Sequence, residues 1–548
     1  MTLSLTAQAQ ASPPRRWNLQ PGIAWLIAAI TLVPLLVVLA SLADPQTDIW
    51  AHLADYVLPQ LLINTAWLAG GVAIGTLLLG VSLAWLTAVY DFPGRRHFAW
   101  LLALPLAMPA YVLASVQIGL YDFTGPLQTL LREWFDNSRW FPPIRSRGGV
   151  ILTMTLALYP YVYLLARNAF LTQGRRALEA AAVLGLSRRQ GFWRVAMPMA
   201  RPWLVGGVSL VLMETLADFG TVATFNYDTF TTAIYKAWFA LFNLKAASQL
   251  ASLLVMAVLA LALFEQKARG NKRYHGAGRS GPAQPIRLQG LRAVAATAAC
   301  LLILALAFFI PCGQLLKWAA TVIKTDFDSR YISFIWHSVL LAGGAAMLVV
   351  TLGLLLAYAV RGRDGHSARL AARLATLGYA IPGSVLAVGV FIPTAALDNQ
   401  LIAALQALGW QTPPQILKGT LVVMLLAYAA RFLAVAFEPT QAAMQRITPN
   451  QEAAAASLGL GRREMLWRLH LPLLRGGLFT AALMVFVDVM KEMPITLMTR
   501  PFGWNTLSVR VFEMTSEGQW EQAALPALAI VVVGLIPVAL LARQTENR

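Results

Sequence analysis

One stretch of the sequence occurs twice, once in each half of the chain, and this repeat constrains the fold more than any other feature. Residues 185–198 and 459–472 align without a gap and share seven identities in fourteen positions. The identical pairs are Gly185 and Gly459, Leu186 and Leu460, Arg188 and Arg462, Arg189 and Arg463, Trp193 and Trp467, Arg194 and Arg468, and Pro198 and Pro472. An internal repeat of this kind predicts a chain built from two equivalent halves.

Each copy is predicted to form two short helices separated by a break. An alanine-rich run favours the first helix. Gly185 or Gly459 is suited to end that helix, because glycine adopts the left-handed conformation at low cost. Pro198 or Pro472 then predicts the end of the second helix.

The start of the second copy also has a helix signal, and the two copies together suggest a role. Thr448 as cap, Pro449 in the first turn and Gln451 as capping-box partner predict a helix start. A single basic amphipathic segment is typical of a helix lying on anionic lipid. Two matched copies between long apolar segments favour instead a docking surface for a two-fold partner.

Long apolar segments fill most of the remaining chain, which is 58% hydrophobic and only 12% charged. Soluble domains carry about 25% charged residues, so we predict an all-α, polytopic membrane protein. Twelve segments are long enough to cross about 30 Å of hydrocarbon, and Pro109 and Pro382 predict kinks within two of them. The segments lie near 22–43, 61–89, 98–120, 149–170, 203–225, 247–265, 291–316, 333–360, 371–396, 418–437, 476–497 and 523–542.

The distribution of Lys and Arg predicts the orientation of these spans. With both termini in the cytoplasm, most basic residues, both repeated loops and the central linker fall on the inner side. The formal net charge of +18 therefore reflects membrane topology, and nucleic-acid binding is not expected. We predict a first half at 1–264, a cytoplasmic linker at 265–290 and a second half at 291–548. Six spans in each half make the two halves parallel.

Two pairs of acidic residues fall within predicted spans. In the register that aligns the two loops, Glu214 corresponds to Asp488 and Asp218 to Glu492. Glu214 and Asp218 are four residues apart, and so are Asp488 and Glu492, which predicts that the two acids of each half share one helix face. Acids within a membrane usually face the protein interior or water, so they are candidates for a pathway lining. Alternatively, Asp218 and Glu492 lie near the outer mouth, solvated or paired with Lys491.

The sequence gives no sign of an enzyme. The dipeptide Gly-Lys is absent from the chain, so a Walker-type phosphate loop is absent, and ATP is expected on a partner subunit. We predict no catalytic residue and no cofactor held by this chain. The six histidines have no His-x-x-x-His spacing and are expected to be isolated, and the sequence leaves metal binding undetermined.

The repeated loop resembles the cytoplasmic Glu-Ala-Ala loop of permeases from binding-protein-dependent ABC importers. In that family a glycine follows the glutamate by six residues, and the loop has a Leu-Pro-like ending. The first copy matches at Glu179, Ala180, Ala181, Gly185, Met197 and Pro198. The second copy matches at Ala454, Ala455, Gly459, Leu471 and Pro472, but its Glu452 lies one position too early. This departure leaves the role of that glutamate open.

Two further segments are similar to the fused ferric-iron permeases. They are METLADFGTVATF at 213–225 and VDVMKEMPITLMTRPFGWNTLSVRVFE at 487–513. The resemblance implies an inner-membrane protein with the twelve-helix, type I-like importer fold, together with two copies of a separate ATPase and a periplasmic ferric-binding protein. Related permeases carry thiamine or other small solutes, so another solute is an alternative. An ion-coupled secondary carrier is a further alternative, although it would not require paired basic loops.

The resemblance also implies that the loops couple ATP hydrolysis on the partner to motion of the two halves. Trp193 and Trp467, or Phe192 and Leu466, are candidate apolar anchors for the ATPase, because buried aromatic side chains often dominate such contacts. Arg188 and Arg462 are candidates for pairing with acidic rims on the partner. Movement of both loops would rock the halves by a hinge or shear motion.

Overall fold

The protein is almost entirely helical in the computed structural model, which describes residues 19–44, 53–174, 179, 181, 183, 185–269, 285–361 and 365–546. The predicted coupling residue Ala180, most of the predicted linker and both chain termini lie outside these described residues. The helices of the first half are α1 (Leu19–Ala40), α2 (Leu58–Val89), α3 (Arg95–Leu101), α4 (Ala110–Tyr121), α5 (Pro126–Phe135), α6 (Arg147–Ala169), α7 (Arg188–Gly191), α8 (Met197–Ala217), α9 (Gly220–Thr224), α10 (Phe230–Phe239) and α11 (Leu244–Arg269).

The second half repeats this order. Its helices are α12 (Leu291–Leu304), α13 (Ile310–Asp326), α14 (Ser329–Arg361), α15 (Gly365–Ala375), α16 (Gly383–Ala407), α17 (Leu421–Met444), α18 (Pro449–Ser457), α19 (Arg462–Met465), α20 (Leu471–Lys491), α21 (Pro494–Thr499), α22 (Leu507–Ser516) and α23 (Ala524–Glu546). Short 3₁₀ turns lie at Ser41–Ala43, Leu104–Ala107 and Thr376–Ala380, and π turns at Leu53–Val57, Phe170–Gly174, Phe192–Ala196, Ala305–Phe309 and Leu466–His470. Strands β1 (Tyr90–Asp91) and β2 (Ile286–Arg287) pair in parallel.

The structure confirms a polytopic all-α membrane protein. Among the described residues, ten helices are long and apolar enough to cross a bilayer. A further bent pair, Arg95–Ala107 with Ala110–Phe135, turns by 89°, and a shorter apolar helix covers Ala524–Leu540. Each of the twelve predicted spans overlaps one of these elements.

The bounds of four predicted spans were wrong because the backbone breaks within them. Predicted spans 203–225 and 476–497 each cross a helix end, at Ala217 and Lys491, and continue into the separate short helices α9 and α21. Predicted span 371–396 combines α15 with α16, which are separated at Pro382. Predicted span 98–120 also crosses a break, at Pro109, where the helix pair turns by 89°. The kinks predicted at Pro382 and Pro109 are confirmed, and the extended ψ of 140° and 145° at these residues explains them, since a residue with extended backbone cannot continue a helix.

The first helix of each half packs against the other half. In α1, Thr31 Oγ1 donates to the Ala375 carbonyl at 3.0 Å, and Trp25 Nε1 donates to Ser367 Oγ at 2.9 Å. In α12, Thr297 Oγ1 donates to the Pro93 carbonyl at 3.0 Å. The two halves are therefore interlocked.

Both repeated loops lie at the same end of the helix bundle. The end of α1 and the start of α2 share one buried cluster that includes Val38 and Leu61. The start of α1 and the end of α2 therefore lie together at the opposite end of the bundle. The first loop contacts the end of α2. The second loop contacts the end of α14. The end of α14 is close in sequence to Ser367, which accepts a hydrogen bond from Trp25 at the start of α1. We call this end the loop end.

Candidate functional site

The break in each repeated loop is formed by the predicted glycine. The backbone φ angle is +71° at Gly185 and +83° at Gly459, which is the left-handed region. After each glycine, the next N–H bonds back to the helix, from Leu186 to the Ala181 carbonyl at 2.9 Å and from Leu460 to the Ala455 carbonyl at 3.2 Å. This Schellman arrangement satisfies carbonyls at the helix end and confirms the predicted helix–break–helix form.

The helix starts in the loops are capped by side chains. The predicted capping box is present at α18, where the Thr448 side chain and the Gln451 side chain each bond to the other's backbone N–H. Ser187 and Gln190 form the same box at α7. These local bonds fix the path of the chain into each short helix.

The prediction that Pro198 and Pro472 end the second short helix was wrong. Helical structure runs without interruption from Arg188 to Ala217 and from Leu466 to Lys491. A π turn precedes each proline, at Phe192–Ala196 and Leu466–His470. Because the regular hydrogen-bond ladder is already altered there, a proline in the first turn of the following α-helix is tolerated without a break.

The two predicted tryptophan anchors are available at the surface of the loops. The side chains of Trp193 and Trp467 are 60% and 64% exposed. Phe192 is not an available anchor, because it packs on Trp85 with ring centroids 4.6 Å apart. The predicted residues Glu179, Arg188, Pro198, Ala454 and Pro472 are exposed, Ala181 and Ala455 face inward, and the side chain of Arg462 lies outside the described residues.

Sequence reasoning missed two other apolar side chains on the loops. Val183 and Leu458 are 88% and 83% exposed. With the two tryptophans they leave apolar side chains uncovered on both loops at the loop end. Exposed apolar patches of this kind mark interaction sites. The missed signal was the position of each residue one or two places before a helix-ending glycine.

Glu452 has partners within the chain. Its Oε1 lies 2.8 Å from Arg361 Nε and 3.0 Å from His470 Nε2. His470 was predicted to be isolated and is instead 5% exposed within this cluster. Arg361 was not predicted as a site residue, because it is 91 positions from Glu452 in the sequence and only the fold brings them together.

All four predicted pathway acids meet in one cavity between the two halves. The cavity has a volume of about 190 Å³ and is lined by Glu214, Asp218, Asp488 and Glu492. The same cavity is lined by Arg431 and Lys491 and by Tyr111, Tyr161 and Tyr379. The Tyr111 hydroxyl of the first half donates to the Lys491 carbonyl of the second half at 3.4 Å, so the halves are joined through polar contacts at the cavity.

Asp218 and Glu492 cap short helices in addition to lining the cavity. Asp218 and Glu492 directly follow the last residues of α8 and α20, where the backbone becomes extended, and each lines the cavity together with the acid four residues before it. Asp218 Oδ1 accepts the N–H of Thr221 at 2.9 Å, and Glu492 Oε1 accepts the N–H of Ile495 at 3.2 Å. Carboxylates at these positions satisfy N–H groups that a helix start leaves free.

Among the described residues that line the cavity, both basic side chains belong to the second half. Arg431 Nε lies 3.3 Å from Glu492 Oε2, so Glu492 is neither solvated nor paired as the sequence suggested. Lys491 Nζ donates to the Leu106 carbonyl at 2.9 Å. In the register that aligns the two loops, the equivalent positions of the first half are Ala157 and Ala217. The acids are duplicated between the halves, whereas the cations are not.

The described residues form no ready metal site. No group of three or more His, Cys, Asp or Glu side chains among them is arranged to hold a metal ion. Two of the cavity acids have partners within the chain, since Asp218 accepts backbone N–H groups and Glu492 pairs with Arg431. The four carboxyl groups together form a polar lining of the cavity.

These features define a class of membrane protein: a multi-pass permease with two interlocked repeats, a polar cavity between them and paired loops at one end. The chain belongs to the family of binding-protein-dependent transport system inner membrane components, whose pattern matches residues 77–266 and 349–548. It is therefore the inner-membrane permease of an ABC importer, a transport subunit that is not itself catalytic. Permeases of this family work with an ATPase and a periplasmic binding protein.

Three relatives illustrate the range of the family. The chain is 29% identical over 492 residues to Fe(3+)-transport system permease protein FbpB 2 of Haemophilus influenzae, covering 88% of this chain and 89% of the relative. It is 22% identical to the ferric transport system permease protein FbpB of Actinobacillus pleuropneumoniae, covering 86% and 69%. It is 31% identical to the sulfate transport system permease protein CysW of Escherichia coli, covering 37% of this chain and 68% of the relative.

Proposed function

We propose that this chain supplies both transmembrane halves of an importer for ferric iron. Two copies of an ATPase subunit bind its two loops, and a periplasmic ferric-binding protein delivers the ion on the opposite side. The halves correspond to residues 1–264 and 291–548, joined by a cytoplasmic linker at 265–290. Both termini lie in the cytoplasm, and ATP is bound only by the partner.

The observation that carries this proposal is the pair of matched loops at one end of the bundle. Each loop presents an exposed tryptophan and another exposed apolar residue, and each is fixed to the membrane helices by its own contacts. A partner with two-fold symmetry can occupy both loops at once. Such a pair has no evident use in a secondary carrier.

The excess of acidic over basic side chains in the cavity favours a cationic solute over a free anion. Four carboxylates line it against two basic side chains, and carboxylates are hard ligands that suit a trivalent cation. In this proposal Glu214 and Asp488 line the route, whereas Asp218 and Glu492 combine that role with helix capping. The two ferric relatives match over most of the present chain, whereas the sulfate relative matches about a third of it.

Reconstituted vesicles test the proposed function. They would contain this chain with its ATPase, and the binding protein loaded with ferric iron would be added to the outside together with ATP inside. We expect iron to accumulate only with ATP and the binding protein. Sulfate and thiamine, each with a matching binding protein, serve as comparison solutes. ATP-driven accumulation of either comparison solute without iron uptake would overturn the assignment of the substrate.

A further inference from the structure

The second loop is tied to α14 by one arginine. Arg361 is the last residue of α14, and its Nε lies 2.8 Å from Glu452 Oε1. Its Nη1 donates to the Met444 carbonyl at 2.6 Å and its Nη2 to the Ile447 carbonyl at 2.8 Å. A single guanidinium therefore connects α14 to the end of α17, to the connection that follows and to α18. Its planar fork of donors suits this arrangement.

The far end of the same loop joins this cluster through His470. His470 Nε2 lies 3.0 Å from Glu452 Oε1, and its Nδ1 contacts the Tyr358 hydroxyl. A neutral imidazole with its proton on Nε2 satisfies both contacts, since it donates to the carboxylate and accepts from the hydroxyl. Tyr358 lies on α14, one turn before Arg361. Both ends of the loop are thus bonded to α14.

In the first half, the loop is held against α2 by aromatic packing. The register that pairs Pro109 with Pro382 relates Tyr358 to Trp85 and Arg361 to Ala88, and the register of the loops relates His470 to Ala196. Here Trp85 packs on Phe192 and Phe170, with ring centroids 4.6 and 5.0 Å apart. The ionic cluster is therefore absent at the matching described positions, where an aromatic cluster takes its place.

We infer that Glu452 is a positioning residue that locks the second loop to α14, so that the loop, α14 and α20 move as one body. This inference rests on the proposed function, in which the loop receives motion from an ATPase. The carboxylate acts within this chain, and the partner contacts Trp467 and Leu458 instead. The one-residue departure of Glu452 from the family spacing is thereby explained, since the shifted position places its side chain toward Arg361.

A double-mutant cycle tests the inference. The variants are Arg361→Gln, Glu452→Gln and the double substitution, with Glu438→Gln as the control. Glu438 is an exposed glutamate near the end of α17. The measurements are the amount of ATPase that co-purifies, the thermal unfolding temperature, and the solute imported per ATP hydrolysed. Because the two residues act as one contact, their effects should not add.

We expect each single variant to retain the ATPase and to import roughly tenfold less solute per ATP, a size common for coupling between sites. The double variant should be no worse than either single one, and Glu438→Gln should match the parent chain. Loss of ATPase binding in Glu452→Gln but not in Arg361→Gln would overturn the inference, because it would place the glutamate at the partner. Effects that multiply in the double variant would also overturn it.

A milder variant keeps the inference testable if the arginine variants fail to fold. His470→Ala installs the residue found at the matching position of the first half, Ala196, and leaves Arg361 bonded to Glu452. We expect a smaller loss of import per ATP with normal ATPase binding, and unchanged import per ATP would contradict the lock. Failure of the proposed function itself would be visible in the parent chain, as absent ATPase binding or absent ATP-driven import.

Discussion

The Arg431 guanidinium and the Glu492 carboxylate form an ion pair inside the cavity between the halves, with Nε and Oε2 3.3 Å apart and side-chain exposures of 10% and 7%. Arg431 Nη1 also donates to the Ile381 carbonyl at 3.0 Å. A buried pair of this kind adds little net stability, but removing one partner leaves an uncompensated charge.

We therefore expect Arg431→Met to destabilise the protein by about 3–5 kcal/mol, because Glu492 would remain buried without its partner. Adding Glu492→Gln should restore a large part of that loss. Thermal unfolding of the purified chain in detergent measures both effects. Equal unfolding temperatures for Arg431→Met and the parent chain would show that the pair does not form.

The neutral cavity variant Glu214→Gln with Asp488→Asn should lose ATP-driven import while retaining the ATPase. The amides preserve size and hydrogen bonding but remove two of the four negative charges that line the cavity. Such charges within a membrane protein are functional by default. Import measured in vesicles, beside ATPase co-purification, checks this result. Unchanged import would remove these two residues from the route.

Gly459→Ala should weaken ATPase binding by distorting the loop. An added Cβ at Gly459 would meet no atom within 4 Å, so the cost comes only from the left-handed backbone, about 1–2 kcal/mol. Gly476→Ala is a matched control, since its Cβ also meets nothing within 4 Å and it lies inside α20. Titration of the ATPase against both variants provides the comparison, and equal affinities would contradict a rigid loop.

Asp398 organises the connection between α16 and α17, and its removal should loosen that segment. It is fully buried, and its Oδ1 accepts the N–H groups of Ile416 at 2.9 Å and Leu417 at 2.8 Å. Asp398→Ala leaves these donors unsatisfied, and a donor that loses its partner without gaining water destabilises the segment that carries it. Hydrogen exchange of residues 416–418 should rise sharply, while exchange in α18 stays unchanged. Unaltered exchange at 416–418 would show that other groups hold the connection.

The sequence was sufficient to predict the features that depend on local chemistry. Apolar length located the spans, and the conformational freedom of Gly185 and Gly459 located the breaks in the loops. The matched acids Glu214 and Asp488 were recognised because the repeat aligned them. The first two signals lie within a few residues of the feature that they predict, and the third depends on the internal repeat.

Tertiary contacts were not predictable in this way. Arg431 meets Glu492 from a distant part of the sequence, and nothing near either residue identifies the other as its partner. Pro198 suggested a helix end, but the π turn before it accommodates the ring. The lone arginine within predicted span 418–437 was a signal that could have been used, since an intramembrane charge requires a partner.

The most direct test of the coupling role is ATP-driven import by the double variant Trp193→Ala with Trp467→Ala. Both side chains are exposed in the described loops, so the variant should fold and unfold at the temperature of the parent chain. We predict that it loses ATPase binding and ATP-driven import together, because it lacks an aromatic anchor on each loop. Import at the parental rate with the ATPase still bound would contradict the coupling role of the paired loops.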